Sequence, residues 1–342
     1  MEATWFSLVA VMIAGYVVLD GFDLGAGIVS FCVARNERER RVVLRSIGPV
    51  WDGNEVWLLA GGGTLYFAFP ALYASSFSGF YLPLMMVLWL LILRGVSVEF
   101  RNHLDSPIWK PFWDAGFMAS SALLAIFFGA ALGNVVRGVP LDAAGRFFLP
   151  LWTDFGVNGE LGILDWYTVL VGVLALLALA QHGARWLALK TEGDVQRRAG
   201  RVASLALLGV LAMTIVVTIF TMQVQPQVLV NLAGHPWGYV FPALAVAGLV
   251  ASLGRRPIVA FLGSCTYLVG MLTSAAFGVF PYVLPARPDS ALGLTIYNSA
   301  TSGYGLKVGL VWFIPGMLMA LGYSVFVYRH FAGKVRVEGE GY

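Results

Sequence analysis

Six ionisable residues stand in stretches otherwise too apolar to hold them. Asp20 and Asp23 lie three residues apart in GYVVLDGFDLGAG, about 60° apart on one helical face. Asp52 and Glu55 repeat that spacing in PVWDGNEVWLLAGGG, and Arg94 stands in LILRGVSVEFRNH with Glu99 five residues on. An ionisable group at mid-bilayer costs about 2.5 to 3.5 kcal/mol on the insertion scale, so each is a functional candidate. A carboxylate pair beside a hydrated cavity can pass protons or hold a cation. Two acids hydrogen-bonded to neighbouring helices for packing specificity are the alternative at Asp20 and Asp23. At Asp52 and Glu55 the spacing equally describes a helix N-cap with an acidic partner, favoured by the helix dipole. Arg94 needs a carboxylate or carbonyls, or must snorkel. Arg94 and Glu99 are therefore candidates for structural ion pairs, Arg94 with an acid of another helix. Asp114 and Asp165 fall near helix starts, where dipole complementarity is explanation enough.

The elements that position these residues follow from composition. The chain has 342 residues, 58% hydrophobic and only 12% charged, with mean hydropathy +0.77. Soluble domains carry about 25% charged residues. This balance excludes a soluble enzyme, a nucleic-acid binder and a disordered chain, and predicts an all-α polytopic membrane protein. Nine apolar segments are expected, at 5–32, 52–73, 76–98, 112–136, 162–188, 202–224, 237–253, 257–284 and 307–330. Continuous runs without alternation argue against a barrel. The N-terminal MEATWFSLVAVM has no basic leader or cleavage site and reads as a retained first helix. Residues 1–342 form one integral-membrane domain. The pattern allows a parallel duplication of four-helix halves, 1–136 and 162–284, with a ninth helix at 307–330.

Charge sets the expected orientation. Of the 22 Lys and Arg residues, 17 flank one end of the segments and four (Arg137, Arg146, Arg287 and Lys307) the other, with Arg94 inside a helix. The positive-inside rule then places the N-terminus outside and the C-terminus in the cytoplasm. Asp20, Asp23 and Asp52 fall in the same cytoplasmic half, where they could mark one inward-facing polar route. Of the four histidines, only His182 is close to a membrane position, so the chain is expected to bind no haem. Cys32 and Cys265 read as small buried hydrophobes, and no His/Cys/Asp cluster has metal-ligand spacing. Trp residues at segment ends read as interfacial anchors, though a quinone or lipid slot lined by some of them stays open.

Here the residues become familiar. DGFDLGAG at 20–27, RNERERR at 35–41, SIGPVWDGNEVWL at 46–58, FSGFY at 77–81, RGVSVEFR at 94–101, GNVVRGVP at 133–140 and QHGARWLALKT at 181–191 together resemble subunit II of the cytochrome bd-type quinol oxidases, including the cyanide-insensitive branch. The similarity is dense over residues 1–190 and mainly hydropathic beyond. One departure is Glu55, where many relatives carry Gln. The resemblance implies a multi-pass protein of the bacterial inner membrane, partnered with a haem-bearing subunit I. That subunit would hold haems b558, b595 and d and oxidise quinol, reducing oxygen to water with cytoplasmic protons. It implies that Trp51 and Asp52 lie at the inter-subunit interface on a proton path; the charge bias, independently of the resemblance, puts Asp20 and Asp23 on the same side as support for it. A structural quinone and a small accessory subunit are further implications. Two other functions compete: an ion-coupled secondary transporter with its site at Asp20 and Asp23, and a scaffold that only assembles a catalytic partner.

Overall fold

The computed structural model describes residues 1–335, so Arg336, one of the 17 cations counted above at one end of the segments, lies outside the described residues. Twelve α-helices are present among the described residues: α1 (Glu2–Val33), α2 (Glu37–Ile47), α3 (Trp51–Ala68), α4 (Pro70–Gly79), α5 (Tyr81–Phe100), α6 (Trp109–Arg137), α7 (Trp166–Lys190), α8 (Gly193–Val224), α9 (Gln227–Gly234), α10 (Val240–Ser252), α11 (Pro257–Val279) and α12 (Gly303–His330). Seven are long and apolar enough to cross a membrane, or eight if α3 and α4 form one bent span. The segment expected at 237–253 yields α10, 13 residues long and preceded by one 3-10 turn over Pro236–Tyr239. That is short against the ~20 residues a span needs.

The segment expected at 52–73 ends early, for a local reason. Pro70 disfavours the α conformation at the residue before it. Phe69 accordingly adopts φ −132° and ψ 66°, and the chain bends by 120° into α4. The next span then starts at Tyr81 rather than 76. Residues 35–45, expected as a loop, fold as the amphipathic α2. Asn36 caps it by accepting from the Glu39 amide at 3.0 Å, and Val43, Leu44 and Ile47 are buried.

α1 is the central post. It packs on α3 and α6, while α5 packs on α6; α7 packs on α8 and α11, and α10 on α11. The two sets meet along α1 and α7, where Gly25 and Gly183 face each other. A Cβ at Gly25 would fall well inside van der Waals contact of the Leu179 carbonyl and the Gly183 backbone. The small-residue pattern Gly21-x-x-x-Gly25 thus serves close helix approach.

At one end of the bundle a third apolar cluster, including Trp5, Phe69, Phe147, Leu284 and Ile296, seals the connections. The short antiparallel strands β1 (Tyr282–Leu284) and β2 (Leu294–Thr295) lie there. Arg137 and Asp165 are both fully buried at this end and ion-paired to each other. Asp165 also caps α7 through the Tyr167 and Thr168 amides. Dipole complementarity alone was therefore too small a role for Asp165. The cysteines differ from each other: Cys32 is exposed, against expectation, whereas Cys265 is half-buried and packs against the apolar core.

Candidate functional site

The buried charges gather where α1, α3, α5 and α12 meet. Tyr16, Asp20 and Asp23 follow the i, i+4, i+7 spacing that keeps side chains on one helical stripe, and all three are buried. Arg94 of α5 reaches Asp20 with both terminal nitrogens, at 2.9 Å and 2.5 Å. The pair is almost wholly out of solvent, at 1% and 0% exposure. The partner of Arg94 is thus an acid of another helix. Glu99 is not that partner: five residues turn a helix through about 140° net, onto a different face.

Asp23 is held differently. Its Oδ2 accepts from Asn54 Nδ2 at 2.7 Å, and the same amide donates to the Leu19 carbonyl at 3.1 Å. Tyr328 of α12 donates its hydroxyl to Asn54 Oδ1 at 2.8 Å. Asp23 Oδ1 and Arg94 Nε are buried with no partner among the described residues. The two aspartates therefore split their work. One neutralises a cation, and the other keeps an oxygen open to a further donor.

Asp52 and Trp51 stand apart from this cluster, at the start of α3. The N-cap position belongs to Val50, with no side-chain cap bond, and Asp52 is the second helical residue, exposed. The capping role that its spacing suggested is therefore not what it does, although the helix dipole still favours its charge. Trp51 is half-buried and packs against the apolar cluster at that end, with its ring edge against Gly95 of α5. Glu55 is half-buried one turn along α3.

At the same end, α2 is clamped by ion pairs. Arg101 bonds Asp114 at 2.6 Å and Glu37 at 2.8 Å, and Arg40 reaches Asp114 at 3.0 Å. Arg198 of α8 bonds Glu39 at 2.6 Å, which holds the Glu39 carboxyl below the usual carboxylate range. Asp114 is thus an ion-pair hub and not only a dipole partner.

His182 is fully buried, with both ring nitrogens engaged: Nδ1 with Ser264 Oγ at 2.7 Å and Nε2 with the Val18 carbonyl at 2.9 Å. Its ring stacks on Phe261. Among the described residues no group of three or more His, Cys, Asp or Glu side chains could hold a metal ion. The break between α3 and α4 sits in the apolar end cluster, since Ala68 and Phe69 belong to it. It does not lie beside Asp20 and Asp23, where a transporter's broken helix would be expected.

Sequence reasoning missed Asn54 and Tyr328. Asn54 could have been found, because it lies between Asp52 and Glu55 in the same motif and i+3 from Trp51. Tyr328 could not, because nothing in the sequence joins α12 to α3.

The comparisons with known proteins agree along nearly the whole chain. The profile of the family described as cytochrome bd terminal oxidase subunit II matches residues 1–331. The probable cytochrome oxidase subunit 2 of Haemophilus influenzae is 31% identical, over 97% of this chain and 94% of that protein. The cytochrome bd ubiquinol oxidase subunit 2 of Bacillus subtilis is 31% identical, over 97% and 96%. The cytochrome bd-I ubiquinol oxidase subunit 2 of Escherichia coli K12 is 28% identical, over 98% and 95%. Among solved structures, a chain of the bd oxidase from Geobacillus thermodenitrificans superimposes with a TM-score of 0.75, covering 96% of this chain and 98% of that one. At 19% identity that likeness speaks for the fold.

Proposed function

The chain belongs to the cytochrome bd terminal oxidase subunit II family, and from that premise we propose that it is the haem-free partner of a haem-bearing subunit I in a quinol oxidase that reduces oxygen to water. The observation that carries this reading is the family match over residues 1–331. Relatives named as ubiquinol oxidase subunits match over nearly their whole length. The protein is a multi-pass component of the bacterial inner membrane.

Haem-free status is supported by the histidines. A haem iron needs axial ligands such as His or Met. His182 has both nitrogens committed, while His103, His235 and His330 are exposed. The charge asymmetry supports an N-out, C-in orientation with α2 in the cytoplasm. On that orientation Asp52, exposed beside Trp51 at the start of α3, lies at the cytoplasmic end, and its exposure in the lone chain supports its role at the contact with subunit I. It can take protons from the cytoplasmic side toward the oxygen-reducing site, with Asp20 and Asp23 supporting the polar region. A structural quinone and a small accessory subunit complete the proposal as minor members.

Purification in mild detergent tests it. A haem-bearing membrane protein of similar size should copurify, and the isolated chain should show no reduced-minus-oxidised haem spectrum. A haem spectrum from this chain alone, or a lone chain that transports an ion, would overturn the reading.

A further inference from the structure

Where α7, α10 and α11 converge at the cation-rich end of the bundle, three arginines stand with no acid to meet them. Arg185, in the last two turns of α7, is half-buried and donates from one Nη to the Ser252 carbonyl at the end of α10, at 2.8 Å. Its Nε is buried with no partner among the described residues, and so is the Oγ of Ser252, a residue 1% exposed. Gln181 Nε2, one turn deeper on the same stripe of α7, is a third such atom. Arg255 and Arg256 follow in the turn that joins α10 to α11, and both are exposed and enter no ion pair among the described residues. From Val195 to Pro288 the chain has no Asp or Glu, so neither α10, α11 nor their connection supplies a counter-charge. The acids just before that stretch, Glu192 and Asp194, are paired with Lys334, Arg197 and Arg198.

The same turn leads into a bare helix start. Arg256 sits at the N-cap of α11 with no side-chain cap bond, Pro257 follows, and the first turn holds no acid. The unmet amides and the dipole of that end add to the positive field. A partly desolvated guanidinium without a counterion is costly. The three unpartnered atoms share one property, since amide, guanidinium and hydroxyl can all donate. The partner they call for is an oxygen-rich anion. Its source follows from the side chains around the cations. Val250, Leu253, Ile258 and Leu262 are all exposed here, and an acyl chain can lie against them, whereas a free phosphate ion gains nothing from them. Basic pockets between helices on the cytoplasmic side suit anionic lipid headgroups.

We infer that the junction of α7, α10 and α11 is a binding site for the phosphate headgroup of an anionic phospholipid in the cytoplasmic leaflet. The phosphate oxygens accept from the guanidinium groups of Arg185, Arg255 and Arg256, whose planar forks match a phosphate. The acyl chains lie along Val250, Leu253, Ile258 and Leu262. The lipid thereby ties α7 to the α10–α11 hairpin and supports α10, which at 13 residues is short for a span. The inference goes beyond the proposed function and takes from it only the orientation that makes this end cytoplasmic.

The test titrates phosphatidylglycerol into the delipidated complex in mild detergent, with phosphatidylcholine as the zwitterionic control, and counts bound lipid by native mass spectrometry. The double variant Arg255→Gln/Arg256→Gln removes two exposed charges and should assemble normally. It should bind phosphatidylglycerol about tenfold or more weaker than wild type. Arg185→Gln should lose at least as much, and if it fails to assemble the double variant still decides. Arg38→Gln, at an exposed arginine of α2, should change the affinity by less than about twofold, as a single charge away from the site. Equal phosphatidylglycerol affinity in wild type and the double variant would overturn the site, as would equal affinity of wild type for phosphatidylcholine. Inorganic phosphate that displaces the lipid and binds in its place would assign the site to a soluble anion and overturn the lipid. None of these readouts depends on oxygen uptake, so the site can fail while the oxidase reading stands.

Discussion

Neutralising Asp20 should be among the costliest single changes at this protein's buried charges. Arg94 is 1% exposed, and both of its terminal nitrogens bond only Asp20. In Asp20→Asn the side chain keeps its size but offers one oxygen and no charge. The guanidinium is then a buried cation facing a neutral amide. Removing one member of a buried pair costs about 3–5 kcal/mol, whereas exchanging both for apolar residues of similar volume is often neutral. Against the roughly 5–15 kcal/mol by which folded proteins are stable, the single change removes about a third. The double variant Asp20→Leu/Arg94→Met should lose much less, so the pair should show strong non-additivity. Asp23 has an unpaired oxygen nearby and can take up part of the lost role. Asp20→Asn/Asp23→Asn should therefore be worse than Asp20→Asn alone. The assay is heat treatment of the assembled complex in mild detergent, following haem absorbance and the yield of assembled complex. Wild-type heat stability in Asp20→Asn, or a double exchange as damaging as the single, would refute the argument that desolvation of Arg94 decides the outcome.

Three further outcomes follow from the geometry. Asp52→Asn should leave haem content and assembly intact, because Asp52 caps nothing and its charge at the helix start is worth about 0.3–1 kcal/mol. Oxygen uptake per haem should nevertheless slow, and unchanged uptake would remove Asp52 from the proton path. Gly25→Ala should destabilise the α1–α7 contact by about 1–3 kcal/mol or more through overpacking, since the new Cβ overlaps backbone atoms. Gly200→Ala, which meets open space, should be neutral or slightly stabilising in the same heat assay. The third concerns pH. Glu39 is held below its ordinary value by the Arg198 hydrogen bond, so its contribution is present above the unfolded-state pKa of about 4.3 and is lost as pH falls through the lowered value. Limited proteolysis should find the 35–47 segment protected at neutral pH and opening in acid. Glu39→Gln should be cleaved already at neutral pH, and equal protection at every pH would show that the pair contributes nothing.

How much of this could be read from the sequence divides along a physical line. Long apolar runs announce themselves, because hydropathy sums over twenty residues and averages out local accidents. The ends of those runs do not. The stop at Ala68 is set by one proline acting on Phe69, and the shortness of α10 by a 3-10 turn over Pro236–Tyr239, neither of which a hydropathy window resolves. The charged positions were legible as exceptions, since Asp20, Asp23 and Arg94 are costly wherever they face. Their pairing was not legible, because Asp20 and Arg94 stand 74 positions apart in sequence with no signal of contact between them. Arg137 shows the converse error: as one of four cations at its end of the spans it reads as a loop residue, yet it is fully buried with Asp165. Counting charges orients a chain but does not say which charges meet water.

The arrangement around α1 bears on why this chain retains such expensive residues. Hydrophobic side chains of similar volume could fill the space of Asp20 and Arg94 at little or no cost in stability, so packing alone does not require them. What an apolar replacement could not supply is the hydrogen bonding that ties α1 to α3, α5 and α12. With the Asp20 charge cancelled by Arg94, Asp23 is left with one oxygen held by Asn54 and one open. The same helix reserves its opposite face for glycine contacts with α7, which fixes its rotation and keeps Asp20 and Asp23 turned toward α5 and α3. A shift of one residue in that rotation would turn the stripe by about 100° and bring Asp23 toward lipid or toward α7. The Gly25–Gly183 contact and the Asp20–Arg94 pair are therefore set by one helix rotation, and Gly25→Ala should loosen both, read as a drop in heat stability larger than that of Gly200→Ala.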